Sequence, residues 1–168
     1  MTGRLGKVRA TVVSTTDRSN SGRLKVQYSL GGSPMETWAD ACVPYAGGKN
    51  GIHAIPPVGS GVWVEFLEGD PDKAIWTGCW WKEGELNSAF GAGASLGSLP
   101  VVIQSTGKHR VILGGVGGDP VVIETSRGEQ GPRIVMTESS LKISCGPTMS
   151  IEITASEVKI NSDGLVVR

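Results

Sequence analysis

Residues 62–78 read VWVEFLEGDPDKAIWTG, and this stretch is the most informative about the fold of the chain. Val62, Val64 and Phe66 recur at a period of two, which places their side chains on one face of a β-strand. The Gly-Asp-Pro sequence at 69–71 has the residues that turns favour, and a second apolar run follows it. The stretch therefore predicts a β-hairpin in an antiparallel sheet.

The segments before the hairpin give it a more specific context. The run Gly-Arg-Leu-Lys-Val occupies 22–26, Trp-Ala occupies 38–39, and Pro-Pro-Val-Gly at 56–59 leads into the hairpin. This ordered set resembles the OB-fold domain of the central-spike family of contractile tails, which includes phage baseplate assembly protein V and the VgrG proteins of type VI secretion. The resemblance covers roughly residues 8–79. Its motif residues are Gly22, Arg23, Val64, Phe66, Glu68, Gly69, Asp70, Pro71 and Gly78.

Several expectations follow from the resemblance alone. Members of the family are trimeric spikes, so it implies a homotrimer that seats its N-terminal end on a baseplate hub protein and pierces a target-cell envelope. It also suggests a PAAR-type tip protein at the C-terminal end. Some phage spikes insert a lysozyme domain, but no segment here resembles one, so the implied role is structural and not enzymatic.

Composition and charge point in the same direction. The chain has 168 residues, of which 25 are glycine, and its 16 basic and 16 acidic residues give a formal net charge of zero. That balance argues against a nucleic-acid partner, whose binding depends on neutralising phosphates. The sequence has no helical apolar periodicity, secretory leader or membrane-span signal, which predicts an all-β protein made in the cytosol. The family resemblance implies that it is assembled in the bacterial cytoplasm and then built into the baseplate of a phage tail or phage-tail-like particle.

A change in amino-acid composition divides the chain into two halves. All five tryptophans precede residue 86, and residues 86–99 are dominated by glycine, alanine and serine. We expect an OB-fold domain at 1–88, a linker at 89–99 and a repetitive β spike domain at 100–168.

The second half contains seven or eight short apolar runs separated by turn residues. Their alternation predicts strands with one apolar face, and three chains could bury such faces against one another as a trimeric β-prism or β-helix. A monomeric β-sandwich is the alternative that periodicity leaves open. The predicted trimer core comprises Val101, Ile103, Val111, Leu113, Val121, Ile123, Ile134, Met136, Leu141, Ile143, Cys145, Ile151, Ile153, Val158 and Ile160.

The end of the chain is expected to form the tip of the spike. Leu165, Val166 and Val167 would give three chains an exposed apolar point, which favours contact with the tip protein. The alternative is that residues 165–168 pair as a final strand.

Other functional classes find weaker support. An OB-fold can bind single-stranded nucleic acid or carbohydrate, but acidic residues lie on and beside the central hairpin. No nucleophile and base set supports an enzyme, and the isolated His53 and His109 predict neither a metal site nor another cofactor. The separated Cys42, Cys79 and Cys145 are expected to be buried reduced thiols.

Overall fold

Strands make up most of the computed structural model, which describes residues 6–86, 99–162 and 164–167. The chain divides into two units, Met1–Leu86 and Asn87–Arg168. The predicted linker at 89–99 lies almost entirely outside the described residues, so the predicted boundaries remain a prediction. In the described part of the chain, no helix is long and apolar enough to cross a membrane.

The first unit is a closed five-stranded barrel with strand order β1-β2-β3-β7-β6. Its pairings are antiparallel except for the parallel pair β3–β7, which closes the barrel in the manner expected of an OB-fold. A separate two-residue hairpin, β4–β5, projects from the connection after β3. The strands are β1 Val8–Ser14, β2 Leu24–Leu30, β3 Ser33–Ala41, β4 Ala46–Gly47, β5 Asn50–Gly51, β6 Gly61–Phe66 and β7 Ala74–Trp80.

The hairpin predicted from residues 62–78 is confirmed as β6 and β7. Val62, Val64 and Phe66 all point into the barrel, where they are buried. They pack with alternate residues from the other strands, as the period of two requires. The core of the barrel comprises Ala10, Val12, Leu24, Val26, Tyr28, Ala39, Val62, Val64, Phe66, Ala74 and Trp76.

The second unit is a single antiparallel sheet of eight strands in sequential order, β8 to β15. This confirms the expected series of seven or eight short strands. A 3-10 turn, Gly128–Gln130, interrupts the connection between β10 and β11. The strands are β8 Val101–Gln104, β9 Arg110–Leu113, β10 Val121–Glu124, β11 Pro132–Met136, β12 Ser140–Cys145, β13 Met149–Thr154, β14 Val158–Ile160 and β15 Leu165–Val167.

Two of the turns in this sheet are built alike. In the β11–β12 turn, Thr137 Oγ1 accepts hydrogen bonds from the backbone N–H groups of Ser139 and Ser140. In the β13–β14 turn, Thr154 Oγ1 accepts them from Ser156 and Glu157. A threonine side chain that accepts backbone N–H groups in this way stabilises a short turn. The β11–β12 and β13–β14 turns are therefore alike both in sequence and in hydrogen bonding.

The expectation of buried thiols is wrong for the single chain. Cys42, Cys79 and Cys145 are free, as expected, but all three are exposed. Cys145 lies on the same face of the sheet as Leu141 and Ile143, and the described residues leave it exposed.

Candidate functional site

One face of the eight-stranded sheet is almost wholly apolar. Directly paired residues share a face, and the pairing continues from strand to strand, for example Ile123 with Ile134 and Ile134 with Ile143. All fifteen residues of the predicted trimer core lie on this face, which we call the apolar face. Its two long rows are Val101, Leu113, Val121, Met136, Leu141, Ile153, Val158 and Val167, and Ile103, Val111, Ile123, Ile134, Ile143, Ile151, Ile160 and Leu165.

The apolar face is uncovered in a single chain. Ile103 is 70% exposed, Ile143 46% and Ile153 41%, and exposures of this size recur along both rows. Burying a valine, leucine or isoleucine side chain fully is worth about 1.5–3 kcal/mol. A surface with so many half-exposed aliphatic side chains marks an interface and not a solvent face.

The opposite face changes character along the sheet. On the later strands it carries Lys142, Glu152 and Lys159 in direct cross-strand register. On the earlier strands the same row is apolar and consists of Val102, Ile112, Val122 and Val135. This second apolar row was not predicted from the sequence, although the Val-Val and Val-Ile pairs in the early strands indicate it.

A charged cluster crosses the early strands beside that row. Glu124 on β10 pairs in register with Arg110 on β9 and with Arg133 on β11. Arg110 Nε donates to Glu124 Oε1 at 2.5 Å, and Arg133 Nε lies 3.6 Å from Glu124 Oε2. The Glu124 side chain is only 4% exposed, so this carboxylate is buried between two guanidinium groups.

The end of the described chain differs from the expected frayed tip. Residues 165–167 form β15, which pairs with β14 through Lys159–Val166 and its neighbours. Leu165 and Val167 therefore join the apolar face. The pairing satisfies the backbone groups on one side of the strand, which explains why a free tail is not formed.

In the barrel, the motif residues Gly22 and Arg23 hold the connection into β2. Asp17 accepts backbone hydrogen bonds from Ser19, Ser21 and Arg23. The Ser19 hydroxyl and these N–H groups hold the pKa of the Asp17 carboxyl well below its usual range. Gly22 lies at φ +79°, and its carbonyl accepts a hydrogen bond from Trp76 Nε1 on β7.

The remaining motif residues shape the β6–β7 hairpin. Glu68 and Gly69 both adopt positive φ in the 3-10 turn Leu67–Gly69. Asp70 accepts the N–H of Asp72 in the same turn as Pro71, and this bond lowers the pKa of Asp70. The paired registers shift across Gly78, which lies at φ +144°, a conformation that favours glycine.

An aromatic and basic cluster on the barrel was not anticipated. The Arg9 guanidinium lies 5.4 Å from the Trp63 ring centroid and 4.9 Å from that of Trp80. Trp80 also covers Gly61 and donates to the carbonyl of Val62. Residues from β1, β6 and β7 meet here only after the barrel closes, so their separation along the sequence hid the cluster.

The described residues contain no group of three or more His, Cys, Asp or Glu side chains that could hold a metal ion. Around the β4–β5 hairpin, the barrel instead presents an apolar pocket of about 370 Å³. Pro44, Ile52 and Trp76 are among its lining residues. Tyr45 and Ile52 are more than half exposed beside it.

Two family models match the chain, one for each unit. Residues 8–81 match the type VI secretion system and phage-baseplate injector OB domain. Residues 100–166 match the phage baseplate V C-terminal trimerisation domain. The second match covers the sheet that carries the apolar face.

Similar curated proteins come from two bacteria. The chain is 39% identical over 82 residues to the type VI secretion system spike protein VgrG3 of Vibrio cholerae, covering 44% of this chain and 8% of that protein. It is 44% identical over 63 residues to the spike protein VgrG5 of Pseudomonas aeruginosa and 42% over 62 residues to the actin cross-linking toxin VgrG1 of V. cholerae. Each of these two matches covers 34% of this chain, with 8% of VgrG5 and 6% of VgrG1. The matched segments thus span less than a tenth of each relative.

Proposed function

The chain belongs to the phage baseplate V and type VI secretion spike family, and we propose that it is the trimeric central spike of a contractile injection system or phage-tail baseplate. The observation that carries the proposal is the apolar face, which runs without a break across all eight strands of the sheet. Three copies would bury these faces against one another, leaving the charged row of Lys142, Glu152 and Lys159 toward solvent.

The role of such a spike is mechanical. A close-packed core and continuous strand ladders resist bending, so the trimer would transmit the force of sheath contraction to a target-cell envelope. The relative VgrG1 is named as a toxin, but the matched segment covers 6% of that protein, and the proposed role for this chain is structural. Assembly in the bacterial cytoplasm followed by incorporation into a baseplate belongs to the same proposal.

The barrel is the proposed hub-binding end. The candidate contacts are residues 31–36, which form the β2–β3 turn and the start of β3, and residues 47–53, which include the β4–β5 hairpin. Met35 and Ile52 are exposed there. Residues that recognise a partner often lie on surface loops that a rigid barrel holds in position. The apolar pocket next to Ile52 would accept a side chain of the hub protein.

Co-purification with the neighbouring hub protein tests this assignment. A variant lacking residues 1–88 should remain trimeric and lose the hub, and the double variant M35D/I52D should weaken hub capture at least tenfold. Thr148→Asp, an exposed change in the β12–β13 turn of the second unit, is the matched control. Undiminished capture by the truncated chain would exclude the barrel as the hub-binding end.

The free edge of β15 is the proposed seat of a PAAR-type tip protein. Leu165 and Val167 end the two rows of the apolar face there, and both are more than half exposed. Deleting residues 164–168 should remove a co-purifying small protein while the trimer persists. A trimer that frays on this deletion, with no small partner at any stage, would show that β15 closes the spike by itself.

A further inference from the structure

Strand register is a problem for a sheet of short, similar strands. A slip of one residue turns every apolar side chain to the wrong face, whereas a slip of two keeps each side chain on its face. The apolar alternation therefore opposes two-residue slips only weakly. Some other feature must select one pairing at each strand.

Short turns supply that feature in the later part of the sheet. Three residues connect β11 to β12, three connect β12 to β13, and three connect β13 to β14. The threonine side chains at 137 and 154 fix two of these turns by accepting backbone N–H groups. The length and hydrogen bonding of a tight turn determine the register of the strands it joins.

Strand β10 has longer loops at both of its ends, although Asp119 accepts the N–H groups of Gly115 and Val116 in the first and the 3-10 turn Gly128–Gln130 lies in the second. Seven residues, 114–120, precede it, and seven, 125–131, follow it. The first of these loops contains four glycines. Loops of this length and composition tolerate a two-residue displacement far more readily than a three-residue turn does.

β10 is also the strand that carries the buried carboxylate. If β10 slid by two residues so that Glu124 took the place of Val122, the carboxylate would face Ile112 on one side and Val135 on the other. Both arginines would then lose their buried partner. A buried carboxylate without a partner is strongly disfavoured, so the cluster opposes this slip where the apolar rows do not.

We propose that the cluster Arg110–Glu124–Arg133 is a register lock for β10. Its function is to select one strand pairing where the loops do not, and it operates whatever partners the assembled protein has. Well-packed apolar replacements of a buried ion cluster are often neutral or stabilising, so stability alone does not account for retaining charges here.

The test replaces the whole cluster with apolar side chains in the full-length protein. The variant R110M/E124L/R133M removes the three charges together and leaves no buried charge unpaired. Glu129, which loses its contact with Arg133, has a side chain that is 83% exposed. Register is read from a cysteine pair, I112C/V122C, whose positions are directly opposite in the native pairing. The background carries serine at 42, 79 and 145, and the loss of free thiols under a fixed thiol–disulfide buffer gives the rate of disulfide closure.

A matched control exists on the later strands. Lys142, Glu152 and Lys159 form the same positive-negative-positive series across three strands joined by short turns. The variant K142M/E152L/K159M makes the same class of change, and the pair S144C/S150C reports its register.

The expected result is a trimer with an unchanged or raised Tm in which disulfide closure at 112 and 122 slows at least threefold. The control variant should change closure at 144 and 150 by less than a factor of 1.5. Unchanged closure in R110M/E124L/R133M would overturn the proposal. A lowered Tm or loss of the trimer would also overturn it, because the cluster would then be needed for stability and not for register.

Discussion

Ile153 shows what a single residue contributes to the apolar face. It lies on β13 between Leu141 of β12 and Val158 of β14, and it is 41% exposed in one chain. The sequence predicted its orientation because apolar and polar residues alternate cleanly from β12 to β14. Its burial in the assembled protein depends on two further chains, which no property of the single sheet can supply.

Replacing Ile153 with aspartate should abolish assembly. Three like charges would be brought together in the shared interior, and burying an unpaired charge costs several kcal/mol per ion. The mass in solution, measured by light scattering, should fall to that of one chain. Ser144→Asp is the control, because Ser144 lies on the opposite face beside Arg133. A trimer that survives Ile153→Asp would place this residue outside the core.

Asp17 illustrates a motif neighbour that the sequence did not single out. Its carboxylate stabilises the loop that leads into β2, because Ser19, Ser21 and Arg23 all donate hydrogen bonds to it. These bonds depress its pKa in the folded chain, the Ser19 hydroxyl most strongly. The stabilisation is therefore present above the ordinary carboxyl pKa of about 3.9 and is lost as pH falls below it.

We expect the barrel to lose stability between about pH 5 and pH 2 in part through this group. Asp17→Asn should be less stable than the wild type at pH 7 and should show a flatter pH dependence over that window. Thermal unfolding followed by tryptophan fluorescence, which reports the barrel because all five tryptophans precede residue 86, measures both. Parallel pH profiles for the two proteins would argue against this role of Asp17.

At the scale of elements, the β6–β7 hairpin was the most predictable part of the chain. Strict alternation and a Gly-Asp-Pro turn identified both strands, and the family motif placed them in an OB-fold. The parallel pair β3–β7 could not be read in this way, because it joins strands that are distant in sequence and have no turn between them. The Arg9, Trp63 and Trp80 cluster was missed for the same reason.

The contact between Gly61 and Trp80 gives the hairpin a precise geometric requirement. A Cβ at Gly61 would lie 2.6 Å from Trp80 Cε2, which is closer than packed atoms allow. Gly61→Val should displace the indole, break its hydrogen bond to Val62 and destabilise the barrel by about 1–3 kcal/mol.

Tryptophan emission and the Tm of the barrel measure this effect together. Gly48→Ala is the matched control, since an added Cβ there meets nothing within 4 Å. A Gly61→Val protein with the emission spectrum and Tm of the wild type would show that Trp80 does not rest on this glycine in solution.

The face on which each side chain lies could be predicted from sequence for the late strands of the eight-stranded sheet but not for the early strands. From β12 to β14, a charged residue follows nearly every apolar one, and the faces could be assigned from sequence. From β8 to β11, runs such as Val-Val-Ile place apolar side chains on both faces, so the second row of Val102, Ile112, Val122 and Val135 was overlooked. The buried position of Glu124 depends on pairing with two other strands and could not be seen in one strand alone.

At the scale of the whole molecule, the central claim is that three chains share one apolar interior. The family match to a trimerisation domain and the unbroken apolar face support it from independent directions. The monomeric β-sandwich left open by the sequence would require a second sheet over that face, and the described strands of the second unit form one sheet only.

The mass of the full-length protein in solution distinguishes a trimer from a single chain. One chain has a mass of 17.5 kDa, so size-exclusion chromatography with multi-angle light scattering should return three times that value. The value should not change over a hundredfold dilution, because the apolar face would be exposed again if the chains separated. A folded protein with the mass of a single chain would exclude a shared trimer interior.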